Sequence, residues 1–275
     1  MSSSSSDYGT SQAHSARMYD YFLGGKTNYT VDREAAQRAA GAWPSMPIAA
    51  RANRAYMHRA VHELARAGFR QFLDIGTGIP TRPNLHDVVH HVAPDARVVY
   101  TDNDPIVLTH ARALMQGSPA GRTAYVEADA TDPEAILGSA EVAETLDLTQ
   151  PVALSLHALC HFLPDDRDPY GLVARLLKAL PAGSALSFSH ATGDLDPVGV
   201  AKLVDSYRAS GVPLQVRSKD EVARFFDGLR LLEPGVVHPH RWRPDVQVPA
   251  ADEAPVEDGA SDVDVSMWAG VALKP

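Results

Sequence analysis

Cysteine occurs once in this 275-residue chain, as Cys160, which excludes an intramolecular disulfide and any cysteine-cluster zinc site. Uncharged apolar runs never approach ~18 residues, the length of a membrane-spanning helix, so no membrane span is expected. The opening Met1-Ser2-Ser3-Ser4-Ser5-Ser6 has neither the basic start nor the apolar stretch of a secretory signal. These absences lead to the expectation of a soluble, cytoplasmic protein. Positive charge is also scarce: the formal net charge is −9, whereas surfaces that bind nucleic acid are basic. The deficit is local, however. Seven acids and no lysine or arginine stand between Asp245 and Asp264, together with Pro249 and Pro255, so that stretch reads as a solvated loop. Without it the body is close to neutral, and charge argues only mildly against nucleic acid. What is abundant is apolar residue, at 45%, enough for one domain with a sizeable core and some appendages.

The organisation follows from periodicity and breakers. Residues 1–14 are Ser-rich and polar, and are expected to be disordered. A short helix over 15–23 would place Met18, Tyr19, Phe22 and Leu23 near one face and stop at Gly24-Gly25. After a polar connector at 26–29, Asp32 is expected to cap a second helix that ends at Gly41. A third, from about 47 to 67, is closed by Gly68. Residues 15–68 thus read as a helical cap or lid. From residue 71 strands and helices alternate, with strands expected over 71–74, 97–101, 123–127, 152–156, 184–190, 229–233 and 264–272. Helices are expected over 84–92, 105–115, 133–138, 168–179, 196–210 and 218–227. This alternation predicts an α/β fold: a doubly wound, seven-stranded, mostly parallel sheet over 69–275. The Pro- and acid-rich loop 234–263 replaces the last crossover helix, so the final strand is expected to enter antiparallel.

In such a sheet the residues just beyond the strands' carboxyl ends face the ligand crevice. After the first strand comes Asp74-Ile75-Gly76-Thr77-Gly78-Ile79-Pro80. Glycines at 76 and 78 permit a sharp turn and let a ligand lie on the main chain. After the second comes Asp102-Asn103-Asp104-Pro105, where a carboxylate at 102 can accept two hydrogen bonds from vicinal ribose hydroxyls. Asp104 before Pro105 looks instead like a helix N-cap. After the third comes Asp129-Ala130-Thr131-Asp132; Asp129 can accept from an exocyclic amine while the Ala130 amide donates to a ring nitrogen, and Asp132 reads as a cap. Asp129 could equally cap a turn. After the fourth comes His157-Ala158-Leu159-Cys160-His161-Phe162. On a helix His157 and His161 would share a face. They could act as a general base, pair at a metal, or sit at the edge of the core; no third ligand motif supports a metal. His190, at the end of the fifth strand, faces the same cleft with the same alternatives, and Cys160 reads as a small buried apolar residue.

A dinucleotide fingerprint would need a third glycine where Thr81 stands, and an apolar residue where Asp74 stands. Asp-x-Gly-x-Gly followed by acids after strands two and three instead resembles the Rossmann-like S-adenosylmethionine-dependent methyltransferases, although Pro80 replaces the third glycine often found in their loop. The run from Ala16 to Lys26 (ARMYDYFLGGK), with Asp32-Arg33-Glu34, Asp102-Asn103-Asp104-Pro105 and Trp242-Arg243-Pro244, resembles more narrowly a methyltransferase family of unassigned substrate, formerly a domain of unknown function. The likeness covers nearly the whole chain from Ser15, with a departure at Arg82-Pro83, where the family pattern has a polar residue and a glycine. The resemblance implies S-adenosylmethionine as cofactor, held by Asp74, Gly76, Thr77, Gly78, Asp102, Asn103, Asp129 and Ala130. It places His157 near the methionine end and His161 nearer an acceptor. Tyr19, Tyr21, Phe22 and His190 would then wall an acceptor pocket, or the aromatics simply pack their helix onto the sheet. No Asn-Pro-Pro-Tyr run follows the fourth strand, so the expected acceptor is a small molecule and not DNA. Two rivals stand beside this reading: a protein that binds S-adenosylmethionine or S-adenosylhomocysteine without transfer, and a nicotinamide-dependent oxidoreductase. The oligomeric state is left open.

Overall fold

A computed structural model describes residues 10–114, 119–248 and 259–275. Of the expected tail, residues 1–9 lie outside the described residues, as do 249–258 of the acidic loop. The strands are β1 (Gln71–Ile75), β2 (Arg97–Asp102), β3 (Arg122–Glu127), β4 (Ala153–His157), β5 (Ala185–Ala191), β6 (Arg230–Leu231) and β7 (Met267–Leu273). They form one sheet in the order β3-β2-β1-β4-β5-β7-β6. β1 to β5 pair in parallel, and β7 runs antiparallel to both its neighbours, β5 and β6. The expected Rossmann-like sheet is therefore present. β1 is buried along its whole length, as its near-continuous apolar sequence requires of a central strand. The strand order reverses between β1 and β4, which opens the ligand crevice at their carboxyl ends.

The helices are α1 (Ser15–Phe22), α2 (Thr30–Ala42), α3 (Met46–Arg66), α4 (Leu85–Val92), α5 (Pro105–Leu114), α6 (Pro133–Leu137), α7 (Ala140–Thr145), α8 (Pro169–Ala179), α9 (Pro197–Ala209), α10 (Lys219–Ala223) and α11 (Asp262–Val265). Three elements differ from expectation, the first being α11, a short helix that delays the start of the last strand to Met267. α7 is too short for its periodicity to show in sequence. β6 spans two residues where five were expected, because Pro234 follows closely and has no N–H to extend the ladder. Asp32 also caps differently: α2 begins at Thr30, and Asp32 acts from its first turn, accepting from the amides of Tyr29 and His14, each at 2.9 Å.

The N-terminal helices divide between two layers. Met18 and Phe22 of α1 and Ala35, Ala36 and Ala39 of α2 pack with Val200, Leu203 and Tyr207 of α9. α3 belongs to the central core instead: Tyr56, Met57, Ala60, Val61 and Leu64 share one apolar cluster with Phe72 of β1, Val98 of β2 and Val271 of β7. Trp242, fully buried, meets the Tyr56 ring edge-on at 5.6 Å. Arg59 of α3 donates to the carbonyls of Trp242 (3.0 Å) and Pro239 (2.7 Å), while Arg243 pairs with Glu63 at 2.8 Å. The Trp242-Arg243-Pro244 run thus staples the return segment to α3. The described end of the acidic stretch is likewise not merely solvated. Asp262 binds Arg241 (2.6 Å) and His240 (3.1 Å), and Asp264 accepts from Ser45 Oγ at 2.9 Å.

Candidate active site

The β1 loop turns as its glycines allow. Gly76 and Gly78 both have positive φ, 72° and 70°. At Gly76 a Cβ would also lie 2.6 Å from Leu159 Cδ1, so a side chain there would have to displace that leucine. The amides of Gly76 and Thr77 donate to Thr101 O of β2 at 2.8 and 3.1 Å. The Gly78 amide donates to Asp102 Oδ2 at 2.8 Å, and the Asp104 amide to Asp102 Oδ1 at 3.0 Å. Asp102 therefore organises both turns, yet each of its oxygens keeps lone-pair capacity for a ligand hydroxyl. Asp104 behaves as the expected cap, accepting from the Ile106 amide at 2.9 Å, and it also pairs with Arg17 (3.1 Å) and His14 (3.3 Å). Residue 14, expected to be disordered, is thus tied down. Beyond β3, Asp129 accepts from the Thr131 amide (2.8 Å) and hydroxyl (2.7 Å) and weakly from Asn103 Nδ2 (3.4 Å). Asp132 caps α6 through the Ala135 amide.

The segment after β4 does not form the helix on which two histidines would share a face. Ala158 adopts a left-handed φ of 52°, and a single 3₁₀ turn follows at Cys160–Phe162. The three histidines consequently differ. His161 Nδ1 accepts from the Ala191 amide at 3.2 Å, so its proton must sit on Nε2. His190 Nε2 accepts from Arg217 Nη1 at 2.8 Å, and its Nδ1–H donates to Ala191 O at 2.7 Å. Both lone pairs are consumed by the fold, and burial holds both rings well below the ordinary histidine pKa, His190 at about 3. Neither residue lines the cleft. Arg217, buried among Cys160 O, Leu163 O, His190 and Asp165, has packed them into a structural latch.

His157 is different. Its Nε2 lies 2.8 Å from Ser187 Oγ, which is 3.3 Å from the Tyr56 hydroxyl, which in turn donates to Gly270 O at 2.7 Å. The 2.8 Å contact holds the Nε2 edge of the ring against Ser187, whichever of the two atoms donates. The other nitrogen, Nδ1, has no protein partner among the described residues. Burial first, then Arg54 and His58, depress the ring pKa to about 3, so His157 is neutral at ordinary pH.

These residues surround one cavity of about 550 Å³, within the usual size for a small-molecule site. Asp74, Gly76, Thr77, Gly78, Asp102, Asn103, Asp129, Ala130, His157 and Tyr19 all line it; Tyr21 and Phe22 do not. Phe22 is buried against α9, and Tyr21 accepts from Gln37 Nε2 at 3.3 Å. The packing alternative describes those two aromatics. Tyr19 is held by its donation to Ala50 O (2.9 Å) and by Asn53 Nδ2 (3.0 Å). Asn53 Oδ1 accepts from Ser189 Oγ at 2.6 Å, which accepts the Ala158 amide at 3.0 Å. Asn53, Arg54 and Met57 are lining residues that the motifs did not flag. Asn53, a buried amide on an Ala-rich helix face, was the one available signal.

The cavity floor is electrostatically primed. Burial raises Asp74 to about 7, opposed by Arg54 and reinforced by Asp102, and burial raises Asp102 as well. Asp129 is the reverse case: burial would raise it, but Thr131 and Asn103 hold it below the usual range.

The sequence profile of the S-adenosyl methyltransferase family matches residues 1–275. The chain belongs to that family. Among solved structures it is 49% identical to a DUF574 family protein from Streptomyces avermitilis, with a TM-score of 0.91, covering 98% of this chain and 100% of that one. It is 37% identical to a candidate methyltransferase from Thermobifida fusca, with a TM-score of 0.86 and coverage of 98% and 97%. A methyltransferase from Anabaena variabilis, 15% identical with a TM-score of 0.50 over 78% and 84%, shares the fold. No curated protein matches. Family membership makes the protein a methyltransferase that uses S-adenosylmethionine, and it sets aside the nicotinamide and non-catalytic readings. No helix among the described residues is long and apolar enough to cross a membrane.

The residues present fit the cofactor. The Gly76–Gly78 loop lines the cavity with little side chain, two buried acids line it beside that loop, and Asp102 has acceptor capacity to spare. One consequence concerns pH. An acid raised to about 7 contributes stability to the empty site below its unfolded pKa and loses it as pH rises through 7. A cationic ligand group reverses the preference, because it requires the ionised form. The charges facing Asp74 are Arg54 of α3 and Asp102 of β2, with Tyr100 and Tyr125 also in range. S-adenosylhomocysteine is expected to bind about tenfold more tightly at pH 8 than at pH 6 by calorimetry. Asp74→Asn should flatten that profile; an equally steep profile in the variant would assign the proton elsewhere.

Proposed function

We propose that this methyltransferase transfers the methyl group of S-adenosylmethionine to a small-molecule acceptor that carries a proton on its nucleophilic atom, and that His157 takes that proton. The observation that supports this is the placement of His157: of the three histidines at the strand ends it alone lines the cavity, and its Nδ1 has no protein partner among the described residues. Asp102 would hold the ribose hydroxyls, Asp129 and the Ala130 amide the adenine edge, and the Gly76–Gly78 main chain the linking atoms. The cofactor supplies an electrophilic methyl carbon on a sulfonium, attacked in line as the carbon–sulfur bond breaks. The chain's task is alignment, exclusion of water and acceptance of the acceptor's proton at His157 Nδ1. Met57, Leu159, Phe162, Leu163 and Val212 give the cavity apolar lining, and Tyr19 lines it as well. Such a lining suits a compact, uncharged body better than a phosphate backbone.

The test is release of S-adenosylhomocysteine, read by mass spectrometry, when enzyme and cofactor meet size-fractionated cell extract. Release is expected with the low-mass fraction. Release confined to protein or nucleic-acid fractions would refute the small-molecule assignment.

A further inference from the structure

The chain from Gln12 to Arg17 runs along the cavity before α1 turns away from it. Gln12, Ala13, His14, Ser15 and Ala16 line the cavity together with Gly78, Asp102 and Asn103 from the loops after β1 and β2. Ala16 packs against Ile79, Ile106 and Val107, which continue those same loops. The segment is fastened by charge more than by apolar contact. The His14 amide donates to Asp32 Oδ1 at 2.9 Å, and the His14 ring lies 3.3 Å from Asp104. Arg17 stands between Asp104 at 3.1 Å and Asp32 at 3.5 Å, and its Nη2 donates to Gln12 O at 3.1 Å. All three of these charged residues are buried, so parting them would leave uncompensated charge. Asp104 also donates its amide to Asp102 Oδ1 at 3.0 Å, which joins this fastening directly to the carboxylate expected to hold the ribose.

We infer that residues 12–17 form a strap that must lift for the cofactor to enter or leave, and that the Arg17–Asp104 pair is its latch. The inference rests on placing S-adenosylmethionine in this cavity. A ligand seated on Asp102 is then walled by the strap, and its exchange waits on the strap, as it does on the lids of other enzymes. The strap has the makings of a part that opens locally, since Gln12 is exposed and Ala13 to Ala16 are only half-buried. Farther along α1, Met18 and Phe22 are buried in the layer shared with α2 and α9, so the helix stays docked while its first turn lifts. Arg17 does not line the cavity; it is a positioning residue that acts through Asp104.

Two measurements on the full chain test this. In the wild type, hydrogen exchange at the amides of residues 14–18, read by mass spectrometry, is expected to slow by about tenfold or more at saturating S-adenosylhomocysteine, because the ligand holds the strap shut. The second uses Asp104→Asn, which keeps a side-chain carbonyl for the Ile106 amide at the start of α5 but removes the charge from the latch. Radiolabelled S-adenosylhomocysteine should leave this variant about tenfold faster or more, with association no slower, as expected of a loosened gate. Exchange at 14–18 that ignores the ligand would overturn the inference, and so would an unchanged dissociation rate in the variant. Weaker binding that came from slower association would mark Arg17 and Asp104 as parts of a rigid wall and would overturn it as well. Thermal unfolding checks that the variant folds, and the wild-type exchange decides the matter if it does not. A wild-type chain that bound no S-adenosylhomocysteine would overturn the placement of the cofactor, and the strap's role with it.

Discussion

Asp102→Ala is expected to weaken S-adenosylhomocysteine by about 100-fold or more, because it removes two charge-assisted hydrogen bonds worth ~1.5–3 kcal/mol each. The same change strips the acceptor from the Gly78 and Asp104 amides, so the loop that carries the ligand loosens as well. Asp102→Asn separates the two effects. It keeps the size and one acceptor oxygen but removes a negative charge that burial disfavours. One of the two backbone amides then faces an NH2 group and loses its acceptor, so the empty asparagine variant should melt below the wild type but above Asp102→Ala, and still bind the ligand less tightly. Wild-type affinity in either variant would move the ribose to another residue.

The second large effect is kinetic. His157→Phe keeps a flat ring beside Tyr56, which His157 meets edge-on at 5.6 Å, and removes the open nitrogen. With an acceptor identified by the extract assay, its single-turnover rate should fall by about 10²- to 10⁴-fold, the usual worth of a positioned base. Cofactor affinity should stay within about threefold. Ser187→Ala tests the positioning of the ring, since its Nε2 edge loses its partner; a smaller fall in rate with unchanged cofactor affinity is expected. Because burial and Arg54 hold His157 at about 3, its protonation should silence the reaction only in strong acid. A rate limb near pH 6.5 that disappears in His157→Phe would show a more basic ring than the structure describes.

The sheet was legible because its evidence is local. Buried strands such as Phe72–Ile75 are short apolar runs, each followed by an acid or a histidine at the same end of the sheet. That regularity gave the order of elements and brought Asp74, Asp102, Asp129 and His157 to one cavity. What stayed hidden depends on backbone direction or on distant partners. A left-handed Ala158 has no sequence signature, since glycine or asparagine is the usual occupant, and it alone undoes the shared face of His157 and His161. His190 is spent on Arg217, 27 residues away, which no spacing rule connects. Asn53 and Arg54 belong to a helix that precedes the first strand, so a search along strand ends passes them by. The short hairpin strand β6 was overestimated because apolar residues beside Pro234 mimic a longer one.

The placement of α3 bears on how this chain can be divided. A cut just before Gln71 looks natural, since everything after it reads as a complete nucleotide-binding unit. Such a fragment would surrender the tyrosine whose hydroxyl orders Ser187, the arginine that anchors the Trp242 segment, and the polar wall at 53 and 54. It would also bare the apolar face that α3 covers on β1 and β2. For domain grafting or chimera construction, the smallest portable unit therefore begins upstream of Met46, and the helix usually treated as an appendage travels with the sheet.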